Sequence, residues 1–425
     1  MSNVKILSLT LLGACAAESP DFTSTTAASH TTCAATSLRT DLAWYGDNRE
    51  TLDGWIASEG CNSAGFKHNK PPIALLDWDN TVVKNDVGDA VTFHVIKNDL
   101  VRQPPGQDWK VTSGFMTDAG AAALSAACGT DVPAGAKLPT STNLGCADEM
   151  LSMYIDNKTR GGAVAFTGHN FRRIEPTYAW TAQLLAGNTH AEVSQIALDA
   201  VVPKLTAPQG TTQVVGTRTV NGWIRIYDQV QDLVDVLGTN GYDRWVITAS
   251  PQDVVGALAP LTGIPSDHVI GIRSLTDSEG RLTYSFEGCG EVPDGNQTLI
   301  SYIDGKRCWV NKVIFGEQDA KAFDRQPEHK RAMFSAGDSD TDISFMRDSK
   351  YKFVLNRNKT ELMCFAYNNE GDTWRINPMF IQPRAAKTTP YACATKACIG
   401  EDGVGVPCLD DQGNVIPDQL DTVHP

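Results

Sequence analysis

Asp77-Trp78-Asp79-Asn80-Thr81 sets two carboxylates, an amide and a hydroxyl directly after the apolar run Ile73-Ala74-Leu75-Leu76. A second acidic group, Gly337-Asp338-Ser339-Asp340-Thr341-Asp342, follows Met333-Phe334-Ser335-Ala336, and a third apolar run, Trp245-Val246-Ile247, ends in Thr248, Ala249 and Ser250. Carboxylates grouped in this way can hold a hard cation, and one at the tip of a buried strand can also act as a nucleophile or pass a proton. Taken alone, Asp77 and Asp79 read better as a solvated turn or a calcium-binding loop, and Asp338, Asp340 and Asp342 look like the start of a calcium loop. The EF-hand version of that loop fails, because counting from Asp338 there is no Gly at position six and no Glu at position twelve.

Strand ends are where such groups become a site, since open α/β sheets bind ligands beyond the carboxyl ends of their strands. Apolar runs at 73–76, 244–250, 268–272, 333–336 and 351–355 read as sheet strands, the first bounded by Pro71-Pro72 and the last taken as the final one. Residues 281–286 alternate like a hairpin arm. Helical spacing marks 42–56 before the first strand and 251–259 after the second, with Pro251 suited to a first turn. Residues 86–237 break the α/β rhythm. They carry mostly helical patterns, at 90–101, 117–128, 147–155, 174–185, 190–202 and 227–237, separated by loops such as Pro104-Pro105-Gly106. The expected organisation is an α/β core at 41–85 and 238–386, a helical insertion at 86–237 covering the mouth of the site, and an irregular tail at 387–425.

Four features in fixed order make these residues a set: Asp77, Asp79 and Thr81 after one strand, Thr248 after another, a lysine, then Gly337, Asp338 and Asp342. This resembles the haloacid dehalogenase superfamily, over residues 71–355, and within it the phosphoserine and phosphorylcholine phosphatase-like group. The resemblance implies a Rossmann-like core with a cap inserted after the first core strand, and Mg²⁺-dependent hydrolysis of a small phosphomonoester. It casts Asp77 as the nucleophile that becomes an aspartyl-phosphate, Asp79 as general acid and base, and Thr248 with a lysine as phosphoryl contacts. Mg²⁺ would be held by Asp77, Asp338 and the Asp79 carbonyl, with Asp342 orienting the lysine or a metal-bound water. Thr81, Asp86, Asp89 and Ser250 are expected to contact substrate. Gly305-Lys306, at the start of a helix expected over 307–315, fits the lysine motif better than Lys312, which lies further round that helix. An acid at position 79 favours phosphate esters over alkyl halides, whose leaving group needs no proton. Aromatic residues, Trp180 and Tyr178 among them, are candidates for holding the quaternary ammonium of phosphorylcholine, or for packing the cap core. Two alternatives stay open: a phosphotransferase using the same intermediate, and a binding lipoprotein without catalysis.

The composition of the 425 residues, 41% hydrophobic and 20% charged, is that of ordinary globular protein. A net charge of -14 with no basic cluster argues against nucleic acid as a partner. Lys5, the apolar Ile6 to Leu12 and Leu12-Gly13-Ala14-Cys15 resemble a bacterial lipoprotein signal (1–15), with lipidation at Cys15 and membrane contact only through that anchor. Ala16 after the cysteine points to the outer membrane of an exported, periplasm-facing protein, and the Ala, Ser and Thr-rich 16–40 reads as a flexible tether. Of the 11 cysteines, setting aside Cys15 leaves 11 - 1 = 10, an even number able to pair in an oxidising compartment, with Cys393, Cys398 and Cys408 stapling the tail.

Overall fold

The computed structural model describes residues 33–424; the signal, Cys15 and most of the expected tether lie outside the described residues. Six strands form one parallel sheet: β1 (Ile73–Leu76), β2 (Asp243–Pro251), β3 (Val269–Ile272), β4 (Phe334–Gly337), β5 (Tyr351–Asn356) and β6 (Trp374–Pro378), in the spatial order β6-β5-β4-β1-β2-β3. β1 is buried along Ala74, Leu75 and Leu76, as expected for a parallel strand covered on both faces. β6 is a correction to the expectation that the sheet ends at 351–355. Its Trp374-Arg375-Ile376-Asn377-Pro378 mixes apolar and polar residues, the pattern of an edge strand with one covered side.

The helices are α1 (Asn48–Glu59), α2 (Val87–Lys97), α3 (Asp118–Cys128), α4 (Leu144–Asp156), α5 (Pro176–Gln183), α6 (His190–Leu205), α7 (Asp228–Thr239), α8 (Gln252–Leu258), α9 (Asp304–Val313), α10 (Ile343–Asp348) and α11 (Thr360–Asn368). Helices cover the sheet, giving the Rossmann-like α/β core that the strand pattern implies. The insertion after β1 carries α2 to α6. It also holds a hairpin, Thr212–Val215 with Arg218–Asn221, and is closed at its base where Val83–Lys84 pairs with Arg225–Ile226. α7, expected inside the insertion, instead packs along β2 with Val230, Leu233, Val234 and Leu237 buried, and the Val234 carbonyl accepts a hydrogen bond from Arg244 (3.1 Å). Helical periodicity identifies an apolar stripe but not which layer it faces.

The fold is tied down earlier than residue 41. Cys33 is disulfide-bonded to Cys61 and Leu38 is buried against the core, so the tether expected to run to residue 40 is anchored by Cys33 at the latest. The other eight of the ten cysteines pair as Cys128–Cys146, Cys289–Cys308, Cys364–Cys393 and Cys398–Cys408. The last two staple the tail, which has a short hairpin of Cys398–Ile399 with Gly405–Val406 but is otherwise irregular. Among the described residues, no helix is long and apolar enough to cross a membrane.

Candidate active site

Register delivers the first two acids. Leu76 of β1 lies beside Ala336 of β4, so the chains leave the sheet together, and the Asp77 N–H still donates to the Ala336 carbonyl (3.0 Å). Asp77 and Asp338 therefore emerge as neighbours, and the Thr81 hydroxyl sits between them, 3.1 Å from Asp77 Oδ2 and 3.0 Å from Asp338 Oδ1. Thr81 was expected to touch substrate. It is buried, with its hydroxyl directed at these carboxylates, and does not line the cavity described below.

Lys306, in the first turn of α9, is fully buried and reaches into the same cluster. Its Nζ donates to Asp77 Oδ1 (2.8 Å) and to Asp342 Oδ1 (2.6 Å). Lys312 turns the other way, donating to the Gly288 carbonyl (2.7 Å) over the face of Trp309. Asp342 is fixed on its second oxygen by the N–H groups of Asp338 and Ser339, each at 3.0 Å, so it holds both the lysine and the turn that presents Asp338. The tight turn before Lys306 requires Gly305, because a Cβ there would lie 1.9 Å from the Ile300 carbonyl oxygen. Gly305→Ala is expected to lose about 1–3 kcal/mol of stability by overpacking, measured by urea unfolding; unchanged stability would show that the turn has room.

Asp79 faces the insertion. Its Oδ1 accepts from the Val87 N–H at the start of α2 (2.7 Å) and its Oδ2 from the Ser250 hydroxyl (2.6 Å). Asp86 caps α2 by accepting from the Asp89 N–H (2.9 Å), and the Tyr154 hydroxyl donates to Asp89. Burial pushes Asp79 well above the usual carboxylate range, with Asp86 adding repulsion and the Ser250 and Val87 donors opposing it. Burial and the Asp86 charge raise Asp89 to about 7. Thr248 is buried one step below Ser250, its hydroxyl accepting from the Ser250 N–H (3.1 Å).

A cavity of about 160 Å³ opens over these groups. Of the residues singled out from sequence, Asp77, Asp79, Asp86, Tyr178 and Ser250 line it, whereas Thr81, Asp89, Thr248, Lys306, Asp338 and Asp342 do not. Its further walls include Tyr154, Tyr302, Asp340, Arg357 and Lys359. Arg357, which sequence reasoning missed, directly follows β5 and donates to Asp338 Oδ2. The signal available was its place at the carboxyl end of a parallel strand. Trp180, by contrast, is core, donating its indole N–H to Thr112 (3.1 Å).

Asp77, Asp338 and Asp342 each offer a carboxylate oxygen within 4.8 Å of the others, a set of hard ligands suited to Mg²⁺. Charge supports the fit. Asp77, Asp79, Asp86, Asp338 and Asp342 outnumber the cations bonded to them, the buried Lys306 and the partly exposed Arg357. Burial first and then the Asp342 charge push Asp77 well up despite Lys306, which a dication would relieve.

No protein-family model matches the chain, and no curated protein matches it in sequence. Solved structures do. A conserved protein of unknown function from Anaerococcus prevotii DSM 20548 superposes with a TM-score of 0.57 at 18% identity, covering 81% of this chain and 94% of that one. A protein of unknown function from Bordetella pertussis Tohama I matches at 15% identity over 72% and 98% of the two chains (TM-score 0.42). A phosphoserine phosphohydrolase-like protein from Francisella tularensis matches at 11% identity over 68% and 88% (TM-score 0.32). The first of these shares the fold.

Proposed function

We propose that this chain is a haloacid-dehalogenase-type phosphatase that hydrolyses a small phosphomonoester through an aspartyl-phosphate on Asp77. The observation that carries the reading is Lys306, fully buried and shared between Asp77 and Asp342, with Asp338 alongside. In this reading Asp77 attacks phosphorus, the ester oxygen leaves, and Asp79 supplies its proton; Asp79 then takes a proton from the water that cleaves the acyl phosphate. Burial and the Asp86 charge, by raising Asp79, favour its protonated form and suit it to carry that proton. Lys306 would offset phosphoryl charge, and the Ser250 hydroxyl would keep Asp79 turned toward the leaving group. Mg²⁺, held by Asp77, Asp338 and the Asp79 carbonyl with Asp342 behind them, would neutralise the carboxylates and the phosphoryl oxygens.

The small cavity suits a small leaving group. Tyr154, Tyr178 and Tyr302 with Asp86 and Asp340 are the groups that would hold an organic cation, which favours phosphorylcholine. Arg357 and Lys359 favour a second reading, a leaving group carrying a carboxylate, as in phosphoserine. Phosphate release from phosphorylcholine, phosphoserine and p-nitrophenyl phosphate, measured with Mg²⁺ and with chelator, tests both parts. We expect release that chelator abolishes and Mg²⁺ restores, with phosphorylcholine turned over best. Equal or faster turnover of phosphoserine would overturn the choline assignment, and chelator-resistant release the metal. Phosphate passed to added glycerol in preference to water would mark a phosphotransferase, and inertness toward every ester a binding protein.

We further propose export with lipidation at Cys15, supported by five disulfides of the kind oxidising compartments allow. Wild type should incorporate labelled palmitate in a bacterial host and Cys15→Ser should not; equal labelling of the two would refute the anchor.

A further inference from the structure

We propose that Arg172 is a positioning residue for Lys306, and that the C-terminal hairpin closed by Cys398–Cys408 is the strap that seats it. The inference rests on reading Lys306 as the phosphoryl-binding lysine. Lys306 reaches the acid cluster because the chain makes an unusual turn just before α9. Ile303, buried and β-branched, has φ 43 and ψ -105. For such a residue this backbone is an outlier, and it persists only where surrounding contacts over-determine it.

Those contacts come from three parts of the chain. The core supplies Ser344, whose hydroxyl donates to the Ile303 carbonyl. The insertion supplies Arg172: its carbonyl accepts the Asp304 N–H (3.0 Å), and its guanidinium pairs with the Asp304 carboxylate (3.2 Å). One residue on, the Arg173 carbonyl accepts the Ile300 N–H (3.1 Å), so the insertion brackets the turn on both sides. The tail supplies the third part. Arg172 also donates to Glu361 Oε1 (2.7 Å) and to the Ile399 carbonyl (3.3 Å), and the Ile399 N–H donates back to Glu361 (3.3 Å). The Phe171 N–H donates to the Glu401 carbonyl (2.9 Å), and Gly403 packs so closely on the Phe171 ring that a Cβ would come within 2.7 Å of it.

Arg172 is thus a planar donor facing two carboxylates and a carbonyl, an arrangement that lysine's single ammonium cannot reproduce. The hairpin that shields it is fixed at its base by Cys398–Cys408, and the preceding segment is tied to α11 by Cys364–Cys393. The tail, remote from the reacting groups in sequence, thereby bears on where the catalytic lysine points.

Native-state amide exchange of residues 299–306 and covalent labelling of Lys306 by an amine reagent, both read by mass spectrometry, test this without requiring activity. The variants are Arg172→Met, Arg172→Lys, Cys398→Ser/Cys408→Ser and, as a control, Arg173→Met, whose side chain instead pairs with Glu291 and lies over Phe323. In wild type, Lys306 should be protected. Arg172→Met should speed exchange at least about tenfold and expose Lys306 to label, with Arg172→Lys and the double Ser variant in between. Where turnover is measurable, kcat should fall about 10–100-fold with KM within about threefold, the signature of a displaced group. Unchanged exchange and labelling in Arg172→Met, or an equal rise in Arg173→Met, would overturn the proposal. Should Arg172→Met fail to fold, Arg172→Lys and the double Ser variant decide it, wild-type protection in both counting against it. A wild type inactive on every phosphoester would remove the proposed reaction, while labelling would still report the clasp.

Discussion

Asp77→Asn is expected to abolish phosphate release, lowering kcat on the order of 10⁴-fold or more, while leaving the protein at least as stable as the wild type. The two halves of this expectation come from the same crowding. Asp77 is buried beside Asp342 and Asp338, and both the desolvation and the neighbouring charges disfavour its ionised form. An amide keeps the shape and removes the charge, so a source of repulsion disappears. Lys306 keeps Asp342 as its partner, at 2.6 Å, and is not left unpaired. Thr81 can still donate to Asp338. What is lost is the nucleophile itself, because an amide oxygen attacks phosphorus poorly and cannot be regenerated by water from a phosphoryl intermediate. Melting temperature and Mg²⁺-dependent phosphate release, measured side by side, check the pair of outcomes. Release at wild-type rates would sink the covalent mechanism. A large drop in melting temperature would mean that Asp77 is a structural member of the cluster.

How much of this was legible in the sequence follows from how local each signal is. Asp77, Asp79 and Asp338 stand directly after apolar strands, so one window shows both the strand and its functional tip. The choice of Lys306 over Lys312 was readable because Gly305 marks the tight turn at the start of α9. Ten cysteines signalled disulfides, but their pairing depends on tertiary contact and was not readable. Arg357 escaped notice because its place beside the acids depends on a partner 19 residues away on another strand end. Thr81, Thr248 and Asp89 show the converse. Their positions in the chain were right for a site, but a side chain's partners decide whether it faces the ligand or supports something that does. The tail's role was hidden for the same reason, since only the folded chain brings Ile399 to Arg172.

Lys306→Met should be both unstable and inactive, and the way the two defects separate identifies what the lysine does. Its ammonium is fully buried between Asp77 Oδ1 and Asp342 Oδ1. Replacing it with an apolar chain of similar length removes the only cation among the described residues bonded to either carboxylate, leaving buried charge uncompensated, which costs about 3–5 kcal/mol. For a chain of this length that corresponds to a fall of about 4–6 °C in melting temperature. Adding Asp342→Asn should recover part of the loss, since one of the stranded charges is then gone. Activity should not recover with it, because the phosphoryl group would still lack its cationic partner. Lys312→Met is the control: that side chain bonds only the Gly288 carbonyl and the Trp309 face, so kcat should stay within about twofold of wild type, with a stability loss of about 1 kcal/mol. Thermal unfolding and phosphate release across the four proteins decide the matter. If stability and turnover both return in Lys306→Met/Asp342→Asn, the lysine serves only to balance charge, and the phosphoryl contact must be sought elsewhere, first at Arg357, a cation that does line the cavity.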